Sequence, residues 1–169
     1  LNAWLKKINI PAIAGIDTRR LTRKIRDEGA PKGIISFNPN QELNINALHK
    51  KAQNWPGLNG MDLALDVTCK KTYKWNGESN WSLSSGYAKQ ESPEFHVVAV
   101  DFGAKKNILR CLSAAGCNVT VVPADTSFDE IMKHGPNGVF FSNGPGDPSA
   151  TSKYAMPMIK SVINSGIPT

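Results

Sequence analysis

Short apolar runs recur at regular intervals in the second half of this 169-residue chain. The first of them is rich in β-branched residues, which suit a strand buried on both faces of a parallel sheet. The runs cover residues 96–100, 118–122 and 138–141, and helical spacing or a capping signature follows them over residues 105–115, from Ser127 onward, and from about Ser152 to Asn164. Strands that alternate with helices in this way predict a doubly wound parallel α/β sheet.

The first half of the chain has weaker patterning, which predicts part of a smaller α/β domain. Asp17 and Thr18 offer side-chain oxygens that cap a predicted helix, and Gly29 ends it. The other predicted elements are a strand over residues 33–37, a helix over residues 44–53 with Ile45 and Ala52 facing inward, and a hairpin between residues 73 and 83 with Asn76-Gly77 as its turn.

A short polar stretch over residues 84–93 is typical of a linker between domains. We place the domain boundary there, near Ser92. Residues 1–92 then form the end of the first domain with its linker, and residues 93–169 begin the doubly wound domain. The chain opens in a helical pattern and closes where a new strand should begin, so we expect a truncated sheet and a longer parent polypeptide.

Composition and charge narrow the classes of function. The three cysteines, Cys69, Cys111 and Cys117, form no Cys-x-x-Cys pair, which argues against a disulfide framework or a zinc site and fits a reducing cytoplasm. The net charge is +6, but the basic stretch at residues 19–26 has no interleaved aromatic residues, so we do not expect a nucleic-acid partner. We expect no membrane span either, because no segment approaches the roughly 20 apolar residues that one needs.

A loop rich in glycine and proline, Ser142-Asn-Gly-Pro-Gly-Asp-Pro148, follows the third predicted strand. Parallel α/β sheets bind ligands at the carboxyl ends of their strands, although the same residues also suit a plain strand-to-helix turn. Gly144 and Gly146 lack a Cβ atom, so their backbone N–H groups can approach a ligand closely. Such donors stabilise the oxyanion that forms during acyl transfer.

Other chemistries lack their sequence signatures in this chain. There is no nucleotide P-loop and no Gly-x-Gly-x-x-Gly fingerprint after the first regular strand. Asp101-Phe102-Gly103 stands without the other protein-kinase motifs. No cluster of His, Cys and carboxylate residues indicates a metal site, and no cysteine lies in a nucleophile elbow. We therefore expect the chain alone to be unable to hydrolyse a substrate.

Four motifs together resemble one protein family. The Ser142–Pro148 loop resembles that of class I glutamine amidotransferase domains. Taken with Val100-Asp-Phe-Gly-Ala-Lys-Lys-Asn107, it is similar to the small, glutamine-hydrolysing subunits of carbamoyl phosphate synthetase. Ile16-Asp-Thr-Arg-Arg-Leu-Thr-Arg23 and Pro56-Gly-Leu-Asn-Gly-Met-Asp-Leu-Ala64 resemble the N-terminal domain of the same family. The resemblance covers essentially the whole chain.

The resemblance implies a cytoplasmic ligase that is a heterodimer of a small and a large subunit. A Cys-His-Glu triad removes ammonia from glutamine through a thioester, and the large subunit, with ATP and magnesium, uses that ammonia to make carbamoyl phosphate for the arginine and pyrimidine pathways. By the motif match, Gly144 supplies an oxyanion-hole N–H and Gly146 contacts the substrate glutamine. The triad is expected beyond Thr169, so no catalytic side chain, cofactor or metal is expected within these residues.

A second hypothesis stays open at this point. In this hypothesis the chain is a non-catalytic module that binds a partner through residues 1–92, and the loop after the third strand serves only as scaffold. A Gly-x-Cys-x-Gly elbow after Thr169 distinguishes the two hypotheses, because only the amidotransferase needs that nucleophile.

Overall fold

The computed structural model describes residues 1–40 and 42–169 of the chain. These residues form two compact units, Leu1–Gly57 and Leu58–Thr169. No helix among the described residues is long and apolar enough to cross a membrane.

The first unit contains three helices, α1 (Asn2–Lys7), α2 (Thr18–Glu28) and α3 (Ile45–Gln53). The helix predicted after Asp17 is confirmed as α2, and the helix predicted over residues 44–53 is confirmed as α3. The Asp17 carboxylate caps α2 by accepting from the Arg20 N–H at 2.9 Å. The predicted strand over residues 33–37 is wrong, since this segment has no partner strand among the described residues of the unit. The inward face of α3 is only partly as expected, because Ala52 is buried whereas Ile45 is 67% exposed.

The second unit contains a four-stranded sheet, a two-stranded hairpin and four helices. Its elements are, in chain order, α4 (Ala64–Val67), β1 (Tyr73–Lys74), β2 (Glu78–Ser82), β3 (Gly86–Lys89), β4 (Phe95–Asp101), α5 (Lys106–Ala114), β5 (Cys117–Pro123), α6 (Phe128–Lys133), β6 (Gly138–Phe141) and α7 (Pro148–Asn164).

The sheet has the strand order β1-β5-β4-β6. Strands β4, β5 and β6 are parallel, as predicted. Val98 of β4 lies opposite Thr120 of β5 on one side and Val139 of β6 on the other. Only β1 is antiparallel, and it pairs with β5. Because β4 and β6 are parallel neighbours, the loops that follow them emerge at the same edge of the sheet.

The core of this unit lies on both faces of the sheet. On one face Val98, Val100 and Val139 pack with Met158 and Val162 of α7. On the other face Ala99, Leu109, Val119 and Val121 form a second cluster with α5. This two-sided burial explains why the strands are almost continuously apolar. Packing on both faces also holds in place the carboxyl ends of β4 and β6, from which the loops at this edge begin.

The predicted hairpin is wrong in its turn and its partners. The structure places the turn between Ser82 and Gly86, with Trp81 opposite Tyr87, whereas Asn76-Gly77 joins β1 of one sheet to β2 of the other. The reason is that β1 takes β5 as its partner, so the Asn-Gly turn becomes a corner between sheets. The predicted linker over residues 84–93 accordingly contains β3.

Arg110 of α5 holds the hairpin against the rest of the unit. Its guanidinium donates to the Glu78 carboxylate at 3.1 Å and lies 3.8 Å from the centroid of the Tyr87 ring. Both side chains of the ion pair are largely shielded from solvent. The hairpin is therefore attached to α5 by an ion pair and a cation–π contact together.

The two compact units meet at Gly57, which is earlier in the chain than the domain boundary that we place near Ser92. Residues after Gly57 bond into the second unit: the Trp75 N–H donates to the Val119 carbonyl at 2.9 Å, and the Ala124 N–H donates to the Thr68 hydroxyl at 2.9 Å. Packing and evolutionary domains need not share a border. The boundary near Ser92 between the two family domains stays a prediction.

Candidate active site at the loop after β6

The loop from Ser142 to Asp147 connects the carboxyl end of β6 to the first turn of α7. The Ser142 N–H donates to the Val100 carbonyl at 3.1 Å, which extends the β4–β6 pairing by one bond beyond the strand. Asp147 then caps α7, and Pro148 takes the first helical position, where a missing N–H costs nothing. The loop is thus fixed at both ends, by the sheet and by a helix.

Gly144 lies against the backbone of the loop that follows β4. A Cβ atom placed on Gly144 would lie 2.2 Å from the Phe102 carbonyl oxygen and 3.1 Å from its carbonyl carbon. Neither neighbour is a flexible side-chain end that could move aside. Glycine is therefore required here by close approach of two backbones.

Gly146 is fixed by a different surface. It has φ = +89°, and a Cβ atom on it would lie 2.6 Å from the Met61 carbonyl oxygen and 2.9 Å from the Leu63 nitrogen. Backbone strain and steric overlap both exclude other residues at this position. We call the segment from Gly60 to Leu63 the strap, because it crosses this side of the loop.

Asp147 ties the strap to the loop. The Asp147 N–H donates to the Met61 carbonyl at 2.9 Å, and the Gly60 N–H donates to the Asp147 carboxylate at 2.8 Å. Ser149 donates to the other carboxylate oxygen from its N–H at 2.9 Å and from its hydroxyl at 2.8 Å. Above all the Gly60 N–H, and then Ser149, hold the pKa of the Asp147 carboxyl below its ordinary value.

Asp101 organises the neighbouring loop in a comparable way. Its buried carboxylate accepts from the Gly103 N–H at 2.9 Å, the Ala104 N–H at 2.7 Å and the Cys69 N–H at 2.9 Å. These bonds shape the turn that carries the Phe102 carbonyl towards Gly144. Asp101 therefore acts as a structural anion at the end of β4.

The N–H groups of Gly144 and Gly146 have no acceptor among the residues that the structure describes. Gly144 also borders a hollow of about 300 Å³ whose wall is mostly apolar, with Phe141, Ala155 and Ile159 contributing. An unpaired backbone donor that borders a mostly apolar hollow and is open to a ligand suits the stabilisation of a developing negative charge. The structure thus brings both predicted site residues together in one loop.

The cysteines lie apart from these donors or are poorly suited to attack. Cys111 is exposed on α5, and Cys117 begins β5 at the opposite edge of the sheet from the loop. Cys69 lies nearer, beside Asp101, but burial and then the Asp101 charge raise the pKa of its thiol. A raised pKa disfavours the reactive thiolate. Within the described residues, no group of three or more His, Cys, Asp and Glu residues could hold a metal ion.

Sequence reasoning missed Ser142, Asp147 and the strap. Asp147 carried a usable signal, because an Asp followed by Pro is typical of a helix N-cap and first position. The predicted start of α7 near Ser152 is therefore four residues late. Nothing near the strap in sequence predicts its bonds to Asp147, since the bond from Gly60 spans 87 residues.

Comparison with known proteins identifies relatives of both halves of the chain. Residues 98–169 match the family described as glutamine amidotransferase class-I, and residues 1–35 match the carbamoyl-phosphate synthase small chain, CPSase domain. The carbamoyl phosphate synthase small chains of Ruegeria pomeroyi and Bartonella bacilliformis are 50% and 51% identical to this chain over 98% and 99% of its length. The chain spans 42% of the length of these two curated relatives.

The resemblance carried by four motifs thus extends through nearly all of the sequence. The predicted amidotransferase-like α/β fold, with its parallel sheet, is also confirmed. The roles of Gly144 and Gly146 stay predictions, because geometry alone does not assign a ligand to them.

Proposed function

We propose, from its membership of the carbamoyl phosphate synthase small-chain family, that this chain is part of a glutamine-hydrolysing amidotransferase. The full enzyme takes ammonia from glutamine and delivers it for carbamoyl phosphate synthesis in the arginine and pyrimidine pathways. The proposal includes a large-subunit partner that holds ATP and magnesium, and a cytoplasmic location.

The observation that carries the proposal is the locked position of Gly144. The Phe102 carbonyl admits no side chain there, and the Gly144 N–H is left unpaired among the described residues. Gly144 is exposed, so this N–H is accessible to a ligand that reaches the loop. An oxyanion formed on the substrate would accept from this donor during the reaction.

The chemistry follows the amidotransferase pattern. A cysteine thiolate attacks the carboxamide carbon of glutamine, and the electron pair of the C=O bond moves onto oxygen. The Gly144 N–H donates to that oxygen, and Gly146 contacts the substrate. The C=O bond then re-forms as the C–N bond breaks, and the nitrogen, protonated by the histidine of the expected triad, leaves as ammonia. Water then cleaves the thioester to glutamate and regenerates the thiol. The thiolate comes from outside these residues, so we expect residues 1–169 alone to show no glutaminase activity.

The test is glutamate release by the amidotransferase that contains this segment, assembled with its large subunit. Gly144→Pro removes the N–H, and we expect kcat to fall by roughly 10²–10³. Gly33→Ala is the control, since Gly33 has no neighbour within 4 Å of an added Cβ atom. Wild-type activity in Gly144→Pro would exclude the oxyanion role. Absence of glutamate release from the wild-type enzyme would instead favour the non-catalytic module.

A further inference from the structure

The Ser142 side chain occupies a buried position at the junction of β6 and its loop. It is 9% exposed, and its hydroxyl makes two hydrogen bonds. The hydroxyl donates to the Asn143 carbonyl oxygen at 2.8 Å and accepts from the Phe102 N–H at 2.9 Å. One side chain therefore links the loop after β6 to the loop after β4.

The acceptor of the Ser142 hydroxyl belongs to the same peptide unit as the donor of Gly144. The Asn143 C=O and the Gly144 N–H share one planar amide, and in a trans peptide they point in opposite directions. The chain has no cis peptide bond among its described residues. Holding the Asn143 oxygen therefore fixes the direction of the Gly144 N–H.

Steric contact and hydrogen bonding restrain this peptide in different ways. The Phe102 carbonyl limits where the Gly144 Cα can lie, but contact at one atom leaves the amide plane free to rotate. The bond from Ser142 to Asn143 removes that rotation. It also polarises the amide, because hydrogen bonds in a chain strengthen one another.

We propose that Ser142 is a positioning residue that orients and polarises the Gly144 N–H towards the oxyanion of the substrate. This inference rests on the proposed amidotransferase function and assigns a role to a side chain that itself touches no reacting atom. It separates Ser142 from a merely structural serine, because its loss should affect the transition state rather than glutamine binding.

The experiment compares steady-state glutaminase kinetics of the complete enzyme carrying Ser142→Ala, Ser142→Thr or Ser161→Ala. Ser161 is the matched control, since its hydroxyl donates to a backbone carbonyl of α7, that of Pro157, at 3.1 Å. For Ser142→Ala we expect kcat to fall about tenfold, the effect of one hydrogen bond. KM should stay within about twofold, because the lost interaction acts only in the transition state.

The conservative variant and a second probe make the test decisive. Ser142→Thr keeps the hydroxyl and should recover most of the lost kcat, and the amide proton resonance of Gly144 should shift in Ser142→Ala but not in Ser161→Ala. If Ser142→Ala does not fold, Ser142→Cys carries the same comparison with a weaker donor of similar volume. Unchanged kcat in the folded variant, or equal loss through KM, overturns the inference. A wild-type enzyme without glutaminase activity counts instead against the proposed function.

Discussion

Replacing Gly144 by alanine keeps the N–H donor but forces it to move. The added Cβ atom would lie 2.2 Å from the Phe102 carbonyl oxygen. Ordinary carbon–oxygen contacts are about 3.3 Å, so the loop must shift by roughly 1 Å. A displacement of that size in a catalytic group costs about 10²-fold in rate. Overpacking of this kind typically destabilises a protein by about 1–3 kcal/mol.

The assay is glutamate release by the complete enzyme, with thermal unfolding of the same samples. We expect kcat/KM of Gly144→Ala to be about 10²-fold below wild type, while Gly33→Ala stays within about twofold. Gly144→Pro carries the same Cβ overlap and also lacks the N–H, so any loss beyond that of Gly144→Ala reports the missing donor. The reasoning is refuted if Gly144→Ala unfolds at a lower temperature but retains wild-type kcat/KM, since the shifted loop then does not act in catalysis.

Three further substitutions test the supports of the site. Gly146→Ala should lower the unfolding temperature more than Gly166→Ala. Both glycines have positive φ, but only a Cβ atom at position 146 would overlap a backbone oxygen, that of Met61. Equal decreases in unfolding temperature would show that backbone strain alone destabilises both variants. Asp147 has a lowered pKa, so its ionised form stabilises the fold above the ordinary carboxyl pKa of about 3.9 and this contribution is lost as pH falls through the folded value. The unfolding-temperature gap between wild type and Asp147→Asn should therefore stay constant from about pH 7 to pH 5 and shrink as the pH falls below about 4, and a gap that stays constant there would contradict the linkage. Arg110→Lys keeps the charge but loses the planar fork, so amide exchange in β2 and β3 should quicken, whereas unchanged exchange would show that another contact holds the hairpin.

The sheet could be predicted from the sequence because each strand carries its own signal. Runs such as residues 96–100 and 118–122 are buried on both faces, so their composition alone identifies parallel strands. The capping box at Ser127 and Glu130 was equally local and is confirmed, with the two residues bonding reciprocally. Elements that are determined by residues close together in the sequence were therefore predicted well.

The predictions that were wrong concern elements that depend on residues far away in the sequence. The Asn76-Gly77 turn has the same residues whether it joins paired strands or two sheets, and only the partner of β1 decides between them. The segment 33–37 has strand composition but no partner strand among the residues that the structure describes. In the site, the sequence explained Gly144 by close approach of its N–H to a ligand, whereas the structure shows a further reason, the Phe102 carbonyl, which lies about 40 residues away in sequence.

The setting of Asp101 has a practical consequence for chemical labelling. Because burial and the Asp101 charge raise the pKa of Cys69, and burial raises that of Cys117, both thiols stay protonated and slow to react with alkylating reagents near neutral pH. Cys111 is exposed on the outer surface of α5. A fluorophore or spin label can therefore be directed to that helix in the unmutated chain, close to the Arg110 contact with the hairpin.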